Sequence, residues 1–283
     1  GRVESSSTTG FTFPSTEYGY TNENGQTFVS WNWHANGGSA TASGSESGNT
    51  LAYSSQANTT AGFSITTYTG NGVSNADITV NHGLGVTPDW VIIKNRSDAT
   101  RWQVWHKDLS ADGTYTTKNL RLNSDGAEQA FSSQIKSVSS SAVIVRDPYA
   151  ASNANVNKDS SNYVMYCFHS VEAYSRFGKY SGNGSTDGTY VFTGFKPAWI
   201  MAKRIDTADN WAIYDSVRDT FNVLDSYIYA DSSQAETTYS TALVDFLSNG
   251  FKWRGAVNFG NNSSGTYIYM AFAEAPFKFA LAR

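Results

Sequence analysis

The chain has 283 residues and a formal net charge of −4, from 20 Lys and Arg against 24 Asp and Glu. Its cations are scattered rather than clustered, which excludes nucleic acid as the main partner, because holding phosphates needs grouped Lys and Arg. A single cysteine, Cys167, excludes an internal disulfide, and no apolar run approaches the roughly 18 residues of a membrane span. Only 16% of residues are charged while 14% are aromatic, in a background rich in Gly, Ser, Thr and Asn. That mixture reads as short strands joined by tight turns.

The first elements are Gly10-Phe-Thr-Phe13 and Phe28-Val-Ser-Trp-Asn-Trp33-His34. In the second, apolar residues alternate with Ser30 and Asn32, which predicts a strand with one wet face. Both blocks match the end of repeats further along, so residues 1–36 read as the C-terminal part of an incomplete first repeat. A piece of that size cannot bury a core alone. It is expected to pair into a sheet, completed by upstream sequence, a neighbouring chain or the next repeat. Residues 37–61 are small and polar and read as a Gly/Ser-rich linker.

Residues 62–176 form the first full repeat, with strands predicted at 62–68, 78–82, 89–94, 102–106, 119–122, 142–146 and 163–169. Pro88 sits just before a strand, where its missing N–H breaks no ladder. The runs 89–94 and 164–168 are apolar on both faces and should be buried on both sides. Residues 172–179 join the repeats and contain Tyr174 and Phe177, so they should pack rather than swing.

Residues 177–283 repeat the pattern. Tyr68-Thr-Gly-Asn-Gly72 recurs as Tyr180-Ser-Gly-Asn-Gly184, and Pro88-Asp-Trp90 as Pro197-Ala-Trp199. Trp102 recurs as Trp211, and Tyr163-Val-Met-Tyr-Cys-Phe168 as Tyr267-Ile-Tyr-Met-Ala-Phe272. Residues 236–247 fit either a helical turn or a strand. The expected fold is all-β: tandem β-sandwich modules, jelly-roll or concanavalin-like, with an N-terminal partial repeat.

Motifs that carry chemistry are few. Gly70-Asn-Gly72 and Gly182-Asn-Gly184 lack the spacing and the following helix of a nucleotide loop, and Asn-Gly is a hairpin turn signal. His34, His82, His106 and His169 have no ligand spacing and read as structural. Glu172 and Glu274 do not align, and no carboxylate pair recurs in the manner of a glycosidase couple, so no enzymatic activity is expected. Cys167 aligns with Asn32 and Ala271, which makes it a packing position. Asp98, Asp206 and Asp209 lie in matching turns, where backbone preference alone explains them. No cofactor is therefore expected, with calcium the one ion left open.

The aromatic residues are the candidate site. Trp90 and Trp199 begin buried strands. Trp102 and Trp211 follow the matching Asp turns, and Trp105 and Tyr214 stand three residues on, on the opposite strand face. Rings beside turn carboxylates can stack on sugars while the turn binds hydroxyls. The candidate glycan-binding set is Trp102, Trp105, Trp211 and Tyr214 with Asp98, Asp206 and Asp209; core packing is the competing role for each ring.

The runs Gly62-Phe-Ser-Ile-Thr-Thr-Tyr-Thr-Gly-Asn-Gly72, His82-Gly-Leu-Gly-Val-Thr-Pro88, Phe177-Gly-Lys-Tyr-Ser-Gly-Asn-Gly184 and Tyr267-Ile-Tyr-Met-Ala-Phe-Ala-Glu-Ala-Pro-Phe277 resemble a tandem β-module of unknown function. That module is found in tail and tail-fibre virion proteins of marine tailed bacteriophages. The resemblance covers nearly the whole chain from Gly10 and carries no known catalytic residues. It implies an extracellular virion component, made in the infected bacterial cytoplasm, that adheres to host cell-surface glycans. It also implies other virion proteins as partners and a homo-oligomer, a trimer by analogy with fibres. The runner-up is a purely structural capsid-decoration or tail-scaffold protein without a ligand, and the third is a glycan depolymerase.

Overall fold

The computed structural model describes residues 5–7, 10–13, 23–37, 39–111, 118–131, 134–150, 155–239 and 243–274. The fold is all-β, with one short helix among these residues. Among the described residues β1 (Ser5–Ser7) and β2 (Gly10–Thr12) pair only with each other.

The first repeat contains β3 (Ala42–Gly44), β4 (Tyr53–Asn58), β5 (Phe63–Thr69), β6 (Ile78–Asn81), β7 (Trp90–Asn95), β8 (Trp102–His106), β9 (Leu120–Arg121), β10 (Gln134–Val138), β11 (Ala142–Arg146) and β12 (Asn162–Phe168). They form a large antiparallel sheet, β3-β4-β5-β12-β7-β8-β9, and a small one, β10-β11-β6. The second contains β13 (Ser175–Ser181), β14 (Tyr190–Phe192), β15 (Pro197–Arg204), β16 (Trp211–Asp215), β17 (Ser226–Tyr229), β18 (Thr237–Thr238), β19 (Val244–Leu247), β20 (Gly250–Trp253), α1 (Asn258–Asn261) and β21 (Thr266–Ala273). Its large sheet is β13-β21-β15-β16-β17-β18 and its small sheet β14-β20-β19. The order β5-β12-β7-β8-β9 thus returns as β13-β21-β15-β16-β17, and β10-β11-β6 as β19-β20-β14.

The four sheets stack through three apolar cores. Strand alternation sends Tyr163, Met165 and Cys167 of β12 to one face, where they meet Val80, Val143 and Ile135 of the small sheet. The opposite face of the same sheet presents Trp90, Ile92, Val104 and Phe168. These pack directly on Phe177, Trp199, Met201, Trp211, Met270 and Phe272 of the second large sheet. The second sandwich encloses Tyr180, Tyr214, Phe251, Trp253 and Tyr267. The two large sheets are therefore the inner layers and the two small sheets the outer ones. That places β7, β12, β15 and β21 between two apolar layers, as their continuous apolar runs require.

The recurring Tyr-X-Gly-Asn-Gly motif has one structural job in both copies. Tyr68 stacks on Tyr163 at 4.9 Å, and Tyr180 on Tyr267 at 5.0 Å. Tyr68 Oη donates to the Val156 carbonyl and Tyr180 Oη to that of Gly260, both at 2.8 Å. Asn157 and Asn261 then accept the N–H groups of Asn71 and Asn183. A Cβ on Gly70 would lie 2.2 Å from the Lys158 carbonyl, and one on Gly182 2.3 Å from that of Asn262, so only glycine fits this approach.

Two expectations need correction, and one open alternative is decided. Residues 37–61 are not a bare linker: β4 pairs with β5 from Tyr53 opposite Tyr68 to Asn58 opposite Phe63, and β3 pairs on β4. Residues 28–34 form no strand; instead Trp31 and Trp33 set their rings edge-on against Trp199, at 6.1 and 5.5 Å. The uncertain stretch 236–247 resolves into β18 and β19. Residues 275–283, which include the end of the Tyr267–Phe277 run, lie outside the described residues.

Candidate functional site

The aromatic set chosen from the sequence does not form a surface. Trp211 is fully buried, Tyr214 is fully buried and Trp105 is 6% exposed. Trp211 reaches across to the first repeat, where its Nε1 donates to the carbonyls of Arg121 and Ser124, both at 3.1 Å. Tyr214 and Trp105 belong to the two sandwich cores. A ring enclosed on all sides cannot stack on an external sugar, so these three are corrected to core positions. Trp102 is half-buried at the margin of the inter-sheet core.

The turn carboxylates brace their own loops. Asp98 Oδ2 accepts from Lys158 Nζ at 2.9 Å, Asn95 Nδ2 and Ser161 Oγ, and the Lys158 ammonium holds its pKa below the usual carboxylate value. Asp206 pairs with Arg204 at 2.9 Å and accepts the Thr266 N–H. Burial works to raise its pKa, but Arg204 and the Thr266 N–H outweigh it and the net shift is downward. In Asp209 burial wins and raises the pKa. Among the described residues no group of three or more His, Cys, Asp or Glu converges on a point where a metal ion could sit.

A different place in the fold brings aromatic rings and cations to the surface. β13 is an edge of its large sheet and β14 an edge of its small sheet. Between them and the 107–108 turn of the first repeat runs a groove of about 430 Å³, lined by Lys107, Asp108, Arg176, Lys179, Tyr190 and Phe192 among others. Its size lies in the range of small-ligand sites, roughly 300–1,000 Å³. Alternation along β14 buries Val191 and leaves Tyr190 43% and Phe192 53% exposed on the same side. Tyr190 is held in place by its hydroxyl, which donates to Asn249 Oδ1 at 2.7 Å. The Arg176 guanidinium lies 5.6 Å from the centre of the Phe192 ring.

The polar end of the groove comes from both repeats. Lys179 Nζ donates to the Asp108 carbonyl at 3.3 Å, and Lys107 pairs with Asp89 at 3.0 Å. Beneath them His106 is buried and unprotonated; burial first, then the positive charge of Lys107, lowers its pKa from 6.5 to about 3. The groove residues escape a search for repeated motifs because they are the ones that differ. Sheet register aligns Tyr190 with Thr79 and Phe192 with Asn81, since Gly250 and Ala142 are the same repeat position. It likewise aligns Arg176 with Ser64 and Lys179 with Thr67.

Over residues 1–276 the chain matches the family described as a domain of unknown function (DUF7483), and it belongs to that family. No curated protein and no solved structure matches it.

Proposed function

We propose that this DUF7483 member is a non-enzymatic adhesion segment of a bacteriophage tail fibre, which holds host-surface glycan in the groove between β13, β14 and the 107–108 turn. The observation that carries this reading is the pair of exposed rings, Tyr190 and Phe192, flanked by hydrogen-bonding groups. Ring faces meet sugar C–H groups, and polar neighbours take up hydroxyls. The virion setting rests on the resemblance of the Tyr-X-Gly-Asn-Gly and terminal-strand motifs to phage tail modules. Several copies of the groove, one per chain of an oligomeric fibre, would raise weak single-site affinity through effective concentration.

The test is binding of the purified chain to a glycan array and to intact marine bacteria, with and without calcium. Saturable binding lost in Tyr190→Ala and Phe192→Ala, with unchanged melting temperature, is the expected outcome. A well-folded protein that binds nothing would move the function to a structural virion role. The Val217–Phe221 loop would then be the natural contact, since those two side chains are 82% and 83% exposed.

A further inference from the structure

We infer that the groove along β13 is selective for an anionic saccharide, one that carries sulfate or carboxylate groups; this rests on the glycan-binding reading and names its ligand class. Three cations line the groove, Lys107, Arg176 and Lys179, against one carboxylate, Asp108. Lys107 is shared with Asp89. Arg176 and Lys179 are exposed and form no ion pair among the described residues. An anion placed between them would make charge-assisted hydrogen bonds, the stronger kind, while the sugar ring rests on Phe192.

The backbone adds a donor. In an antiparallel edge strand, alternate residues turn their N–H and C=O away from the partner. Ser175 and Phe177 do so in β13, their N–H groups donating to the Val171 carbonyl and to Ser170 Oγ. Lys179, next in that alternation, directs its N–H into the groove. Thr189 Oγ1 caps the Ser181 carbonyl beyond it. The free stretch of edge is thus too short for the ladder that an added strand would need, but it suits a single oxyanion.

Comparison of the repeats points the same way. In the first repeat the corresponding space is filled by the chain itself. β4 covers the edge of β5, and Leu51 N–H donates to the Thr79 carbonyl at 2.9 Å. In the second repeat no strand among the described residues covers β13 or β14 on that side. The small polar residues Ser64, Thr67, Thr79 and Asn81 are replaced there by Arg176, Lys179, Tyr190 and Phe192. Cations and rings stand where the first repeat has a protein strand.

The experiment is calorimetric titration of the full chain with dextran sulfate, neutral dextran, polyglutamate and inorganic sulfate, at low and physiological salt. The proteins are wild type, Arg176→Gln/Lys179→Gln, and the charge-matched surface control Arg96→Gln/Arg101→Gln. Dextran sulfate should bind saturably and more weakly as salt rises. The Arg176/Lys179 double variant should lose about tenfold in affinity, and the control less than about twofold. Loss of affinity equal in the two double variants would overturn the inference. So would polyglutamate or free sulfate competing as well as the sulfated polymer, which would assign the groove to an acidic peptide or to a bare anion. Neutral dextran binding as tightly as dextran sulfate would overturn the anion preference and leave glycan binding standing. Absence of binding to every polymer and to the array would overturn both.

Discussion

The imidazole of His106 lies against Trp90, 5.1 Å between ring centres, and its Nδ1 accepts the Asp108 N–H at 3.1 Å. With its pKa lowered from 6.5 to about 3, the folded protein binds no proton there at pH 5, whereas the unfolded chain does. The unfolded state thus binds more protons, and stability rises with pH in this window. The contribution is complete above pH 6.5 and is lost as pH falls from 6.5 towards 3, with a slope of up to about 1.4 kcal/mol per pH unit. Burial lowers the pKa of His82 in the same sense. Asp89 and Asp206, whose carboxyls are held below their ordinary value of 3.8, act only at lower pH. Melting temperature should therefore fall between pH 7 and 4.5, and His106→Gln should flatten that fall. A slope identical to wild type would assign the acid sensitivity to another group.

At the scale of elements, the repeated positions prove to be architectural. Trp211 is locked to the Arg121 and Ser124 carbonyls of the other repeat. Trp211→Ala should cost about 3–5 kcal/mol in a denaturant titration, and glycan binding should fall only as folding falls. Stability near wild type with binding lost would return Trp211 to the ligand site. The strands of both repeats were legible because alternation and doubly apolar runs report burial directly. β3 and β4 were not: their Ser, Thr and Gly residues carry the composition of a linker, and pairing with β5 is a tertiary event. The burial of Trp211 was hidden for a similar reason, since its partners lie about 90 residues earlier in the chain. Signal for the groove did exist. It lies in the mismatches, Tyr190 against Thr79 and Phe192 against Asn81, whereas the rings that match between repeats are core.

For the whole molecule, the inter-sheet core decides how the repeats behave. Trp90, Phe168, Phe177, Trp199, Trp211 and Phe272 lie in one apolar cluster contributed by both large sheets. Neither sandwich can be separated without exposing a face of that size to water, and such a face drives association. Differential scanning calorimetry of the full chain should show a single transition with equal calorimetric and van't Hoff enthalpies. Two resolved transitions would mean that the repeats unfold independently.

The contact between Phe168 and Phe272, 6.3 Å between ring centres, joins two residues that occupy the same position of the repeat. A residue meets its own equivalent at the axis of an isologous dimer, so the pairing has the form of a two-fold association made covalent by duplication. The symmetry is broken at Trp90 and Trp199. Trp90 packs on Trp211, 5.9 Å away, while its equivalent Trp199 packs on Trp31 and Trp33. The N-terminal segment thus supplies to one half a partner that the other half draws from its twin, and two copies of one ancestor become a front and a back.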